Sequence, residues 1–314
     1  SRDSFIDGMV SGGAEASVFT IVQPPECSTS IQEYAKLRFY DVCENYELFT
    51  ANNPLKKQYR SVTAVYAQHP VDEIHNKLFK SQFISSKSYE AKVKFVYDYY
   101  RYSCATQVDS QLEYDKLCSI ISKDSGIALA YIADLNMYIE KGPIKEYPIV
   151  TDMSCVLFTS LAEDLLVAVN THSRDDTMES KKTTAHLRFA HAETVLPVLS
   201  ALGLIQENPF QWSGGNVTQR QFNGHVIAPM ATNIMFALYP PFNYEVNSNS
   251  NPNADMTGSD MQYTVQLFLN EIPTLFPFCD EFMCPLDTVL DYFSAKSCNE
   301  SSFASPELCG SVGC

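Results

Sequence analysis

The 314-residue sequence is 45% hydrophobic, enough for a sizeable buried core, and a chain of this length typically forms about two domains. Its formal net charge of -15 and its lack of clustered Lys and Arg argue against nucleic acid or an anionic membrane as a partner, because both require dense positive charge. No apolar run reaches the roughly 18 residues that a membrane-spanning helix requires.

The first part of the chain has a helical pattern. Residues 1–9 are typical of the end of a helix, and a Gly-rich break follows at Gly12 and Gly13. From Thr29 to about Thr184 apolar side chains recur at helical spacing almost throughout. The sequence therefore predicts a long, nearly all-helical region.

After residue 184 short strands and helices alternate. Residues 187–191 predict a short buried strand, and residues 195–203 predict a helix with Pro197 in its first turn and Gly203 at its C-terminal stop. Later elements are predicted as strands at residues 225–230, 233–239 and 263–269, a loop at residues 247–258, and a last helix at residues 286–295.

These elements predict an α/β fold, a mixed sheet flanked by helices with a large inserted all-helical domain. Residues 1–26 and 183–314 are expected to form the α/β core domain. Residues 27–182 are expected to form the inserted helical cap domain.

The ten cysteines indicate an oxidising compartment. No Cys-x-x-Cys pair and no Cys/His spacing typical of zinc is present. An even number of cysteines that crowd toward the C-terminus predicts a disulfide framework. Asn216 and Asn299 each begin an Asn-x-Ser/Thr sequon, which predicts N-glycosylation. Together these features predict a glycoprotein that is secreted or resides in the lumen of the secretory or lysosomal pathway.

The most informative residues for chemistry are His191 and Glu193. Strand alternation predicts that both side chains point to the same side, at the carboxyl end of a strand, where open α/β sheets bind ligands. The N-terminal amides of the following helix favour an anion there. A protonated His can hold a phosphate oxygen, and a Glu can protonate a departing alkoxide. The same spacing also occurs at purely structural strand ends, so the residue types alone leave both roles open.

A family resemblance extends this hypothesis. His191-Ala192-Glu193-Thr194, followed by Leu196, Pro197 and Leu199, resembles the second signature of the histidine acid phosphatases, in particular the multiple inositol polyphosphate phosphatase and phytase branch. Residues 37–43, 228–233 and 265–271 resemble further segments of that family in the same order. The resemblance implies phosphomonoester hydrolysis through a phosphohistidine, without a metal or another cofactor, and with inositol polyphosphates as expected substrates.

The resemblance also implies roles for individual residues. His191 is expected to hold a phosphate oxygen of the small phosphate-ester substrate, and Glu193 is expected to be the proton donor. The family often carries a small C-terminal loop, and this implies a disulfide between Cys279 and Cys284.

One part of the family pattern is missing. The nucleophilic His belongs to an Arg-His-Gly-x-Arg-x-Pro motif, and none of the six His in this sequence is preceded by Arg or followed by Gly. Three explanations stay open. The motif belongs to a separate N-terminal chain, a partner that completes the sheet and the active site; it lies outside the present sequence; or the protein is a catalytically inactive secreted structural or interaction glycoprotein on the same fold. In the first two cases the isolated chain is expected to be inactive.

Overall fold

The structure is a computed structural model of the chain. It describes residues 19–22, 30–78, 88–100, 118–173, 185–206, 208–211, 220–229, 231–241, 262–310 and 312. The predicted helix end at residues 1–9, the predicted loop at residues 247–258 and the sequon at Asn216 lie outside the described residues.

The described elements combine helices with short strands. In chain order the helices are α1 (Ile31–Val42), α2 (Glu44–Ala51), α3 (Lys56–Tyr66), α4 (Gln68–Leu78), α5 (Tyr89–Tyr100), α6 (Lys123–Lys141), α7 (Ile149–Asp152), α8 (Cys155–Ser173), α9 (Ala192–Ala201), α10 (Gly224–Ile227), α11 (Leu286–Lys296) and α12 (Glu300–Phe303). The strands are β1 (Phe19–Val22), β2 (Ala185–Arg188), β3 (Ile234–Tyr239), β4 (Thr264–Leu269), β5 (Ile272–Thr274) and β6 (Met283–Pro285). The predicted mixture of helix and sheet is thereby confirmed.

The chain divides into two compact units. The first comprises Ser1–Ala51, Lys145–Gln206 and Met230–Cys314, and the second comprises Asn52–Ile144 and Glu207–Pro229. All six described strands belong to the first unit, and the described part of the second unit is helical. The predicted insertion of residues 27–182 as a cap domain stays a prediction.

In the first unit, helix α1 lies against α8 and α9. The hydroxyl of Ser30 caps its N-terminus by accepting a hydrogen bond from the backbone N–H of Glu33 at 3.4 Å. Leu37 and Phe39 are both buried. Residues two positions apart point in nearly opposite directions on a regular helix. Burying both therefore requires packing on two sides or a break in the helix, and the break occurs at the residue between them, Arg38.

The strands of the first unit form two sheets. Strand β1 pairs with β2 in parallel, from Phe19 opposite Ala185 to Val22 opposite Arg188. Strand β4 pairs antiparallel with β3 on one edge and with β5 and β6 on the other. The strand predicted at residues 187–191 is displaced, because the described pairing with β1 ends at Arg188, and β2 is only partly buried.

The later predictions have mixed outcomes. Strands β3 and β4 and helix α11 confirm the elements predicted at residues 233–239, 263–269 and 286–295. The strand predicted at residues 225–230 is wrong, because its first part forms the short helix α10. The Asp134 carboxylate accepts a hydrogen bond from the Gly224 N–H at 2.8 Å, and a Cβ on Gly224 would lie 2.9 Å from that carboxylate. Tertiary contact therefore overrides the local β-pattern here.

Disulfides fix the C-terminal segment within the first unit. They join Cys43 to Cys309, Cys155 to Cys298 and Cys279 to Cys284. In the chain-entropy description the two long-range bridges are worth on the order of 5–6 kcal/mol each, because they close long loops. Neither of the two 19-residue helices, nor any shorter helix that the structure describes, has the apolar length needed for a bilayer crossing.

Candidate active site

His191 and Glu193 lie at the start of helix α9. His191 is the N-cap residue, with extended backbone dihedrals (φ -121°, ψ 174°), and its carbonyl accepts hydrogen bonds from the N–H groups of Thr194 and Val195 at 2.9 and 3.1 Å. Glu193 belongs to the first helical turn. The predicted strand alternation of this pair is therefore wrong, because β2 has already ended and a helical turn relates the two residues.

The far end of α9 confirms one prediction and corrects another. Gly203 has φ 78°, and the N–H groups of Gly203 and Leu204 bond back to the carbonyls of Ser200 and Leu199 at 2.9 and 3.0 Å. This is the Schellman arrangement that ends helices at glycine. Pro197, predicted in the first turn, lies inside the helix because α9 begins earlier, at Ala192.

Arg38 brings a second basic side chain to the N-terminus of α9. Its Nη1 lies 3.5 Å from Nε2 of His191. Arg38 has non-helical dihedrals (φ -127°, ψ 41°) inside α1, so the helix is kinked at this position. The side chain is one-third exposed and that of His191 is exposed, so both groups are accessible to a ligand.

Neighbouring side chains of α1 fix the guanidinium of Arg38. The Asp41 Oδ2 accepts hydrogen bonds from Arg38 Nε at 2.7 Å and from the Tyr34 hydroxyl at 2.9 Å. The guanidinium also lies over the rings of Tyr34 and Tyr40, 5.6 and 5.7 Å from their centroids. Burial lowers the pKa of Arg38. The hydrogen bond to Asp41 and the electrostatic effects of Tyr40, Asp41 and Tyr34 outweigh burial and raise the pKa above its ordinary value. Arg38 is therefore a fixed, permanent positive charge.

Glu193 is one of the charged groups that shift the pKa of Tyr40, together with Arg38 and Asp41. Burial raises the pKa of the Tyr40 hydroxyl well above its ordinary range, and the Asp41 carboxylate raises it further. Arg38 lowers the pKa of Tyr40, and the carboxylate of Glu193 raises it. Glu193 therefore lies close enough to act on a residue that contacts Arg38.

This arrangement can hold an anion and deliver a proton to it. Arg38, a protonated His191 and the N-terminal end of α9 supply positive charge and hydrogen-bond donors. Glu193, in the same helical turn, supplies a carboxyl group. Within the described ranges, no three side chains among His, Cys, Asp and Glu converge as ligands for a metal ion.

The other predicted site residues lie elsewhere. Asn299 is exposed and caps α12, where its Oδ1 accepts a hydrogen bond from the N–H of Ser302 at 2.8 Å. Glycosylation modifies the other amide atom, Nδ2, so the cap and a glycan are compatible. Cys279 and Cys284 form a disulfide, and Cys284 belongs to β6, far from α9 in sequence.

Sequence reasoning did not identify Arg38 as a site residue. Residues 37–43 stood out only through their resemblance to a family segment, and 153 positions separate Arg38 from His191. A weak local signal did exist, because Arg38 lies between two apolar residues, Leu37 and Phe39, both of which the structure buries.

Comparison with known proteins identifies the family. The family model of the histidine phosphatase superfamily (branch 2) matches residues 4–270. The chain belongs to this superfamily. The resemblance carried by the His-Ala-Glu-Thr stretch is thereby confirmed.

Named relatives of this superfamily member are inositol polyphosphate phosphatases. The chain is 26% identical to Multiple inositol polyphosphate phosphatase 1 of Gallus gallus over 281 residues, covering 84% of this chain and 53% of that protein. It is 25% identical to the Homo sapiens protein of the same name over 251 residues, covering 75% and 44%. The Dictyostelium discoideum protein of that name is 31% identical over 117 residues, covering 36% and 15%. The chain thus spans about half the length of the first two relatives.

Proposed function

We propose that this chain is part of a phosphomonoester hydrolase of acid phosphatase or phytase type that acts on inositol polyphosphates. The observation that carries the proposal is the 3.5 Å approach of Arg38 to His191 at the N-terminus of the helix that also bears Glu193. Superfamily membership supports a phosphate-ester substrate, and the names of the relatives support the inositol polyphosphate class.

In this proposal Arg38 and His191 bind the oxygens of the phosphoryl group. A phosphoryl group placed between a guanidinium and an imidazolium accepts charge-assisted hydrogen bonds from both. The positive end of α9 adds to the same field. Because these donors are fixed before substrate arrives, they stabilise charge on the phosphoryl oxygens in the transition state with little reorganisation.

Glu193 is the proposed proton donor to the leaving oxygen. It lies two positions after His191, in the first turn of α9, and acts electrostatically on Tyr40, so it lies beside the proposed phosphate site. An alkoxide of an inositol ring is a poor leaving group, and protonation as the P–O bond breaks lowers the barrier to its departure. The attack on phosphorus requires a separate nucleophile.

We propose that the nucleophilic His is supplied by polypeptide outside these 314 residues, either continuous with them or as a separate N-terminal chain. Two facts support this proposal: the sequence has no Arg-His-Gly motif, and it spans about half the length of its first two relatives. The missing motif also favours a second candidate function. In that case the protein is a catalytically inactive structural or interaction glycoprotein.

Both candidates share a proposed location in the secretory lumen or outside the cell. The disulfides Cys43–Cys309, Cys155–Cys298 and Cys279–Cys284 support an oxidising compartment. The exposed sequon at Asn299 and the sequon at Asn216 support N-glycosylation. Treatment of the secreted protein with peptide N-glycosidase should lower its mass by the two glycans, and Asn216→Gln and Asn299→Gln should each remove one.

An activity assay distinguishes the two functions. The chain alone, and the chain expressed together with its upstream coding region, are compared for hydrolysis of p-nitrophenyl phosphate and inositol hexakisphosphate at acid pH. We expect turnover only for the longer protein, abolished by His191→Ala and retained in His186→Ala, a matched variant on β2. An inactive longer protein that carries the Arg-His-Gly motif supports the structural glycoprotein. Turnover by the chain alone contradicts an external nucleophile.

A further inference from the structure

Thr194, the residue after Glu193, hydrogen-bonds to a different helix. Its hydroxyl donates to the backbone carbonyl of Leu37 at 2.7 Å, and the bond is buried. Leu37 directly precedes Arg38, the residue at which α1 leaves helical geometry. The bond therefore joins the first turn of α9 to the kink of α1.

This bond differs from the usual behaviour of a hydroxyl in a helix. A Ser or Thr side chain within a helix commonly bonds to the carbonyl four residues earlier in the same helix. Ser200, also in α9 and also buried, does this, with its hydroxyl 2.7 Å from the carbonyl of Leu196. The Thr194 hydroxyl instead crosses to α1. A side chain that enters the hydrogen-bond ladder of a helix is a known cause of a sharp kink.

We infer that Thr194 is a positioning residue that holds Arg38 beside His191. His191 and Thr194 are one turn apart on α9, and they contact the consecutive residues Arg38 and Leu37 of α1. Two attachments at adjacent points fix both the distance and the rotation of α1 against the start of α9. This inference rests on the proposed function, in which Arg38 and His191 bind one phosphoryl group together.

Loss of the hydroxyl has a defined structural consequence. The Leu37 carbonyl loses a buried donor, which is unfavourable. Without the bond to α9 we expect Arg38 to relax toward helical dihedrals, which rotates its side chain about the helix axis and away from His191.

Variants of Thr194 of similar shape distinguish a role in positioning Arg38 from a general contribution to stability. Thr194→Val keeps the shape and removes the hydroxyl, whereas Thr194→Ser keeps the hydroxyl. Ser200→Ala is the matched control, because it removes a buried hydroxyl of the same helix whose bond stays within that helix. Thr194→Ala is a second hydroxyl-free variant for the case in which the valine variant does not fold.

Crystal structures of the 314-residue variants and calorimetric titration with inorganic phosphate give two readouts. In Thr194→Val we expect the Arg38 Nη1 to lie beyond hydrogen-bond range of His191 Nε2 and the phosphate affinity to fall roughly 10-fold. Thr194→Ser should restore both. Ser200→Ala should lower the melting temperature while both readouts stay at their wild-type values.

The two hypotheses fail in different ways. If Thr194→Val retains Arg38 at its wild-type distance from His191, the positioning role is refuted whatever happens to stability. If the wild-type chain binds no phosphate, the proposed function loses its support. The distance between Arg38 and His191 in the variant then still decides the role of Thr194.

Discussion

The Arg38 Nη1 lies 3.5 Å from the His191 Nε2, across 153 positions of sequence. Each partner is fixed by its own element. The Asp41 carboxylate and the ring of Tyr40 hold the guanidinium on α1, and the N-cap position holds His191 on α9. In the proposed phosphate site, two groups fixed in this way avoid much of the entropic cost of gathering charges around the ligand.

Removal of the Arg38 guanidinium should weaken phosphate binding. We expect Arg38→Ala to lower the affinity of the chain for inositol hexakisphosphate roughly 10-fold or more, because a charge-assisted hydrogen bond is lost. Arg38→Lys should recover only part of it, since an ammonium cannot reproduce the planar fork. Calorimetric titration at two salt concentrations is the measurement.

The matched control is Arg60→Ala on α3, an exposed Arg in the other unit. An equal loss in both variants would indicate general charge attraction and count against an Arg38 site.

Replacement of Glu193 should reduce turnover in the complete enzyme without abolishing substrate binding. Glu193→Gln keeps the shape and removes the acid, so the kcat for an alkyl phosphate should drop roughly 100-fold or more. The loss should be much smaller for p-nitrophenyl phosphate, whose leaving group needs little protonation. Glu300→Gln, on the exposed first turn of α12, is the matched control. An unchanged kcat on an inositol phosphate would contradict the proposed role.

The sequence predicts the His191–Glu193 part of the site because that part is local. Both residues lie within the first turn of α9, so one short sequence motif contains both of them. Arg38 depends on how α1 packs against α9 and on a kink that a buried hydrogen bond from Thr194 accompanies. Neither the packing nor the kink leaves a periodic pattern in the sequence, and for this reason the contact was not predictable from it.

The fold predictions likewise succeed where the structure depends on local sequence and fail where it depends on a distant contact. The strands β3 and β4 were predictable from their apolar runs, and α11 from its helical spacing. The β-like run at residues 225–230 fails because the buried Asp134 carboxylate binds the Gly224 N–H and fixes a helical turn there. A contact across 90 positions thus decides the local structure.

The stability of the second unit should depend on pH through Glu73. Burial raises the pKa of Glu73, but hydrogen bonds from Lys77, Ser125 and Ser122 outweigh burial and lower the pKa to about 2, from an ordinary value of 4.5. A carboxyl with a lowered folded pKa stabilises the fold fully above its unfolded pKa, and that contribution is lost as the pH falls toward the folded pKa. Glu73 should therefore contribute fully above pH 4.5 and progressively less between pH 4.5 and about 2.

Denaturant unfolding of wild type and Glu73→Gln at several pH values tests this dependence. The difference in unfolding free energy should be largest above pH 5 and should shrink as the pH approaches about 2. Glu47→Gln, on an exposed face of α2, is the comparison variant. A difference that stays constant over this range would show that Glu73 acts through packing and not through its charge.

Breaking the buried ion pair between Asp134 and Arg220 should be strongly destabilising, and removing both charges should cost less than the sum of the two single changes. The Arg220 Nε donates to Asp134 Oδ2 at 2.7 Å, and the side chains are only 4% and 3% exposed for Asp134 and Arg220. Arg220→Met removes the guanidinium from a buried carboxylate, which should cost about 3–5 kcal/mol of unfolding free energy. Asp134→Leu combined with Arg220→Met removes both charges and should cost clearly less than the sum of the two single changes. The remaining cost includes the buried Gly224 N–H, which loses the Asp134 carboxylate as its acceptor. The exposed pair Lys94–Asp98 is the control, since its disruption should cost about 0.5 kcal/mol or less. Denaturant unfolding of the four variants measures these costs. If the single and double changes at the buried pair are additive, the penalty comes from lost packing, and the charge argument is wrong.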